Sequence, residues 1–237
     1  MINRTIYLLI ILFTGAYQLS AQTQKVLIVT GGKTPDKESF YNLFSELSYD
    51  TISKPAAFTL FGSDKLKVYK AILFYDTYQP INDEEKNNFL KIFENGIGVF
   101  FLHHSIVSHQ EWDEYEKIVG GKYFHQKYSD EGKVYGPSTY KHDQDFIVKI
   151  SDNTHPVTKG LSDFEIHDET YLNYRVKKNV KVLLTTDYRE SGEILGWTHT
   201  YNKSNVVFIM LGHDKAAFHN KNFRKLIKNS INYLLSN

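Results

Sequence analysis

Apolar positions along this chain fall into two alternating patterns. Residues 25–30 (Lys-Val-Leu-Ile-Val-Thr), 71–75 and 97–102 are continuous apolar runs. Runs of that kind predict strands covered on both faces, as in a parallel sheet. Between them the apolar positions recur every three to four residues. Phe40, Leu43, Phe44 and Leu47 share one helical face, with Thr34 as a cap and Pro35 at the first helical position. Phe89, Leu90, Ile92 and Phe93 form the apolar side of a second helix, opened by Asn82 with Glu85 and closed by Asn95-Gly96. Trp112, Tyr115, Ile118 and Val119 mark a third, closed by Gly120-Gly121. Strands alternating with helices predict a doubly wound α/β sheet.

The second half has a different pattern. Residues 122–144 are rich in Gly, Tyr, Ser, Lys and Asp and show no period. A connection that long inside a compact domain points to function. Residues 146–150, 180–185, 193–200 and 206–211 read as closely spaced strands, some of them antiparallel. Phe223, Leu226, Ile227, Ser230, Ile231, Leu234 and Leu235 form one stripe of a final helix. No Pro, Gly or Ser-rich linker and no repeat interrupts the chain, so residues 22–237 are expected to form a single domain.

Residues 1–21 stand apart. Arg4, the apolar run 6–13 and the small-residue ending Leu19-Ser20-Ala21 make the three-part pattern of a secretory signal. The run is far shorter than the ~20 residues a membrane span needs. Cleavage would leave a periplasmic or secreted protein with no stable membrane insertion. Removing Arg4 takes Lys plus Arg from 28 to 27, level with the 27 Asp plus Glu. That balance argues against nucleic acid as a partner. Cysteine is absent, which excludes thiol nucleophiles, Cys-ligated metals and disulfides.

All ten histidines lie at or after position 103. His103-His104 directly follows the 97–102 run. In open parallel sheets ligands bind beyond the carboxyl ends of strands, so a histidine there is a candidate acid/base or metal ligand. Gly212-His213-Asp214 follows the 206–211 run and would face it across one crevice. In the segment 164–171, Glu169 and Tyr171 combine acids with aromatic rings, as sugar sites do. His155-Pro156 and Trp197-Thr198-His199 are supporting elements. Gly31-Gly32 lacks the spacing of a phosphate loop, and neither GxSxG nor HExxH occurs.

Five segments in order carry a resemblance. Gly98 to His104, Trp112 through Gly120-Gly121 to His125, His155-Pro156-Val157-Thr158-Lys159-Gly160-Leu161, Asp168-Glu169-Thr170-Tyr171, and Trp197 with Leu211-Gly212-His213-Asp214 resemble the ThuA-like (trehalose utilisation) family. The resemblance runs over about residues 25–236. It implies a flavodoxin-like, class I glutamine amidotransferase-like fold: a mostly parallel sheet with helices on both faces and an antiparallel extension. It also implies an association with trehalose-type disaccharides and 3-keto sugars. Amidotransferases of this fold carry a Cys at the elbow that His103 takes here, so glutaminase chemistry is excluded.

The resulting expectation is an exported enzyme acting on a small-molecule carbohydrate. His103, His213 and Asp214 would be catalytic, with His104, Glu169, Tyr171, Trp197 and His155 contacting substrate. No cofactor is required by the sequence. A divalent metal is the alternative, with His103, His104, His125 and His142 as ligands. A non-catalytic sugar- or partner-binding module is the third reading. Substrate identity and oligomeric state are open at this point.

Overall fold

A computed structural model describes residues 25–33, 35–130 and 132–236. The expected leader at 1–21 and the capping Thr34 lie outside the described residues. The elements run β1 (Lys25–Gly31), α1 (Lys37–Asn42), β2 (Tyr49–Ser53), α2 (Ala56–Phe61), β3 (Tyr69–Asp76), α3 (Asp83–Glu94) and β4 (Gly98–Leu102). A 3-10 turn (His103–Val107) leads to α4 (Asp113–Val119), β5 (Gly121–Lys122), β6 (Tyr128–Asp130), β7 (Lys133–Tyr135), β8 (Thr139–Ile150) and β9 (Phe164–Leu172). The chain closes with β10 (Arg175–Val176), β11 (Lys181–Thr185), β12 (Ile194–Tyr201), β13 (Ser204–Ile209), α5 (Lys215–His219) and α6 (Lys221–Leu235).

Nine strands form one mixed sheet in the order β2-β1-β3-β4-β13-β12-β11-β8-β9. From β2 to β13 neighbours are parallel, and from β13 to β9 they are antiparallel. The parallel sheet and its antiparallel extension are thus both present. Alternation along β3 and β4 sends side chains to two faces. On one face Phe101 meets Phe74 at 5.2 Å and Tyr115 of α4 at 5.8 Å, and Phe74 meets Phe89 of α3 at 5.3 Å. On the other, Gly98 lies under Leu234 of α6, where an added Cβ would come within 2.8 Å. Tyr75 packs there against Phe40 of α1 at 4.6 Å. Full burial of each such ring contributes roughly 1.5–3 kcal/mol.

Local signals explain most element boundaries. Asn82 accepts from Glu85 N at 3.0 Å and Glu85 accepts from Asn82 N at 2.9 Å, the capping box read from the sequence. The helix expected over 40–47 stops at Asn42. Arg224 of α6 donates to both the carbonyl and the side chain of Asn42, at 3.0 and 2.8 Å, and Leu43 N–H turns back to Phe40 O. Its cap is Asp36, which accepts from Ser39 N at 2.9 Å. β2 and α2 were not legible as apolar patterns. β2 is an edge strand, Tyr-Asp-Thr-Ile-Ser, with none of its residues fully buried. No described helix is long and apolar enough to cross a membrane.

Candidate active site

Two strand ends and one returning arm build the site. β4 ends at Leu102, and His103 turns the chain with φ 51°, a left-handed conformation that costs a non-glycine residue about 1–3 kcal/mol. The cost is met by bonds around the turn. His103 Nδ1 donates to the carbonyl of Met210. Ser105 Oγ donates to Phe74 O at 2.8 Å and Asp76 Oδ1 at 2.7 Å, and Tyr115 OH donates to Ser105 O at 2.7 Å. β13 leads to Gly212, whose φ of 108° and closeness to Phe223 leave no room for a side chain. The β8–β9 arm then folds back over both ends.

Asp168 of β9 clamps the second loop. Its two carboxylate oxygens accept from Gly212 N at 2.6 Å and His213 N at 2.9 Å. Burial raises the Asp168 carboxyl, against the lowering effect of His103 and these N–H groups. Tyr75 OH adds bonds to the carbonyls of Gly212 and His213, both at 3.0 Å. Positioned this way, His213 and His103 converge on Glu169.

The centre is Glu169 Oε2. It lies 2.9 Å from His103 Nε2 and 2.8 Å from His213 Nδ1, and those two nitrogens are 3.2 Å apart. His104 Nε2 is 3.8 Å from the same oxygen, and His142 Nδ1 is 3.2 Å from Oε1. Tyr171 OH is 3.4 Å from His103 Nε2. Burial raises the Glu169 carboxyl, but the hydrogen bonds from His103 and His213 outweigh it and hold the group well below the usual carboxylate range. Burial, with His103 beside it, holds the His104 imidazole well below its ordinary value, so that ring is neutral.

The bonds assign protons. A carbonyl can only accept, so His103 carries hydrogen on Nδ1 and its Nε2 faces Glu169. Lys33 Nζ lies 3.0 Å from His213 Nε2, and an ammonium can only donate, so in that arrangement His213 Nδ1–H points to Glu169. The gap between His103 Nε2 and Glu169 Oε2 therefore calls for a positive species, a proton on His103 or a bound cation. The ligand atoms of His103, His104, Glu169 and His213 all lie within 4.8 Å of one another. Among the described residues, His104 Nδ1 is buried and finds no hydrogen-bond partner.

A cavity of about 300 Å³ opens beside this cluster, walled by His104, His142, Glu169, Tyr171, Tyr123 and Tyr140. A second cleft of about 320 Å³ reaches His213, His142, Glu169, Asp168 and Asp214. Glu169 and His142 thus line both.

The expected site residues divide. His103, His104, Glu169, Tyr171 and His213 are together, although His103 is fully buried and lines neither of these two cavities, its Nε2 turned to Glu169. His125 stands aside at the cavity wall, with its ring edge-on to Tyr123 and Tyr78 at 5.5 and 5.6 Å. Of the four expected metal ligands, His103 and His104 belong to the four-residue group, His142 approaches the other carboxylate oxygen, and His125 does not join. Asp214 caps α5, accepting from Ala216 N at 2.8 Å, and the orienting carboxylate is Asp168 instead. Trp197 is fully buried, stacked on Phe208 at 4.2 Å with its N–H given to Val119 O at 2.8 Å, and cannot stack on a sugar. His155 accepts from Val157 N at 3.2 Å and packs on Tyr233 of α6 at 4.9 Å, apart from the cluster. Asp168, Lys33 and Tyr75 were missed. Only Asp168 had a signal, its place beside Glu169 in the acid-aromatic segment.

Comparison with known proteins agrees with this fold. The family profile ThuA, described as trehalose utilisation, matches residues 25–234. A crystal structure of a ThuA-like protein from Parabacteroides merdae is similar with 20% identity over 90% of each chain and a TM-score of 0.73. One from Bacteroides uniformis is similar with 21% identity, covering 94% of this chain and 95% of that one, with a TM-score of 0.70. A glutamine amidotransferase from Thermotoga maritima shares the fold at 12% identity and a TM-score of 0.54, covering 91% of this chain and 99% of that one. No curated protein matches the chain.

Proposed function

Because the chain belongs to the ThuA (trehalose utilisation) family, we propose that it is an exported carbohydrate-active enzyme with Glu169 and its surrounding histidines as reactive centre. One observation carries the reading: Glu169 Oε2, His103 Nε2 and His213 Nδ1 meet within 3.2 Å of one another at the wall of a cavity. The reaction class it serves is proton transfer at a sugar hydroxyl or at a carbon beside a keto group. Glu169 stays ionised and holds positive charge next to the substrate. His213, on the cleft, is the proton carrier through Nε2, the nitrogen that Lys33 approaches and that substrate takes over from it. His104, neutral and facing the cavity, exchanges hydrogen bonds with hydroxyls. His103 is the buried partner that fixes Glu169. The leader-like sequence at 1–21 supports an exported setting, which N-terminal sequencing of the mature protein checks.

A second reading has its own support. Three imidazoles and one carboxylate suit a divalent transition ion, and the His103 Nδ1 bond to a backbone carbonyl is the outer-shell contact that orients such a ligand. Such an ion, when bound, supplies polarisation of a substrate oxygen. The deciding experiment is to incubate untagged protein with 3-keto-trehalose, before and after chelation, beside Glu169→Gln. Turnover abolished in Glu169→Gln supports the centre, and turnover at the wild-type rate overturns it. Full activity in protein shown by elemental analysis to be metal-free ends the second reading.

A further inference from the structure

Outside the histidine cluster lies an open cleft of about 530 Å³, lined in part by His125. Resting on the carbohydrate reading above, we propose that this cleft is an outer subsite for a further glycosyl unit, beyond the sugar held beside Glu169. The two spaces adjoin at His125, which lines both and has Tyr123 of the inner cavity at 5.5 Å and Tyr78 of the outer cleft at 5.6 Å from its ring. Ligand pockets run from about 300 to 1,000 Å³, so the inner cavity matches the small end of that range and the outer cleft the middle.

The lining has the chemistry of a sugar-stacking surface. Tyr78 is 49% exposed and Tyr128 37% exposed, in a chain that buries most of its large rings. An exposed phenol offers an apolar face to sugar C–H groups and a hydroxyl to water. Gln126 stands beside the rings with an amide for sugar hydroxyls, while Gln110 gives its amide to Val107 O at 3.0 Å and Lys122 Nζ lies 5.4 Å over the Tyr128 ring.

The surface is also held rigid, which lowers the ordering cost of binding. Tyr128 stacks on Phe124 at 5.5 Å and 17°. The Arg175 guanidinium lies 5.3 Å from the Phe124 ring, 5.5 Å from Tyr128 and 4.5 Å from Tyr135. Arg175 is in turn gripped by both oxygens of Glu116 at 2.7 Å and by Asp130 at 2.8 Å. Phe124 and Ser138 exchange two bonds at 2.7 and 2.9 Å that tie the base of the β6–β7 hairpin. The aperiodic segment after α4 is therefore a built wall of the cleft.

The test is calorimetric titration of the full chain with glucose, trehalose, maltotriose and 3-keto-trehalose, repeated on Tyr78→Ala, Tyr128→Ala and Tyr128→Phe. Sugars of two or more units should bind about tenfold tighter than glucose. Each alanine variant should weaken them about three- to tenfold while glucose binding changes less than about twofold. Tyr128→Phe, which keeps the stacking face, should stay within about twofold of wild type. Equal affinity for glucose and longer sugars, insensitive to Tyr78→Ala, would overturn the outer subsite and leave the proposed function standing. Failure of every sugar to bind would overturn both. If Tyr128→Ala disturbs the hairpin, Tyr78→Ala still decides, because Tyr78 lies outside it.

Discussion

Two buried histidine-acid clusters sit back to back across the 3-10 turn that follows β4. In front, Glu169 gathers His103, His104 and His213 beside a cavity. Behind, Asp76 accepts from Lys54 at 2.5 Å, Ser108 at 2.6 Å and Ser105 at 2.7 Å, and Lys54 reaches His109 at 2.8 Å. The residue types are alike and the hydrogen-bond balance is not. The rear cluster has an ammonium for its carboxylate, hydroxyls for the remaining lone pairs, and a carbonyl, Gln79 O, for His109 Nδ1 at 3.1 Å. The front cluster has more lone pairs than protons and leaves His104 Nδ1 without a partner among the described residues. A satisfied, dry network fixes a backbone, whereas an unsatisfied one beside a cavity is ready for a ligand.

The strongest way to break that contrast is to unbalance the rear. Asp76→Asn leaves Lys54 charged and unpaired in a site where both side chains are essentially unexposed. It should cost about 3–5 kcal/mol of unfolding free energy, read from denaturant midpoints. A cost below about 1 kcal/mol would mean that this pair does not hold the turn. Glu169→Gln should do the reverse, losing at least about 100-fold in turnover of a keto-disaccharide with a smaller stability loss than Asp76→Asn. If the two variants exchanged effects, the assignment of roles would be inverted.

Acid should sharpen the comparison. Burial, with the Lys54 charge, pushes the His109 imidazole down to about 3, against the opposing Asp76. The unfolded chain takes up that proton near pH 6.5, so the unfolded state is favoured as pH falls from 6.5 toward 3, by up to about 1.4 kcal/mol per pH unit. The neutral His104 contributes with the same sign. Glu169 acts lower: its depressed carboxyl adds stability that is complete above the unfolded value of 4.5 and lost as pH falls through its folded value. His109→Gln should therefore flatten the stability profile between pH 6.5 and 4.5. An unchanged slope would show that His109 is charged in the fold.

Legibility from sequence followed the same divide. Six apolar residues ending in His103-His104 announced a strand end and a turn, because parallel strands place chemistry at their carboxyl ends. The 206–211 run before His213 did the same. Joining either to Glu169 depended on the β8–β9 arm crossing back over the sheet, a long-range fold that no local period encodes. The rear cluster was invisible because Lys54, Asp76 and His109 are single polar residues in three unrelated segments. Trp197, expected against substrate, is a core ring. The Gly120-Gly121 pair that closes α4 also makes room for its indole, with an added Cβ meeting the ring at 2.6 and 2.9 Å. Only the packed structure joins those two facts.

The smallest effect concerns Asp214, a carboxylate on the front cleft that is occupied with backbone. Its side chain accepts from Ala216 N and caps α5, which in turn packs Phe218 against Phe40 at 5.6 Å. Removing an N-cap costs about 1 kcal/mol. Asp214→Ala should lower stability by that amount and reduce turnover by less than about tenfold, since Asp168, not Asp214, clamps the His213 backbone. Thermal unfolding and keto-disaccharide turnover measured on one preparation separate the two quantities. A turnover loss as deep as that of Glu169→Gln would place Asp214 among the reacting groups, and lone-pair excess would then no longer distinguish the working carboxylates from the structural ones.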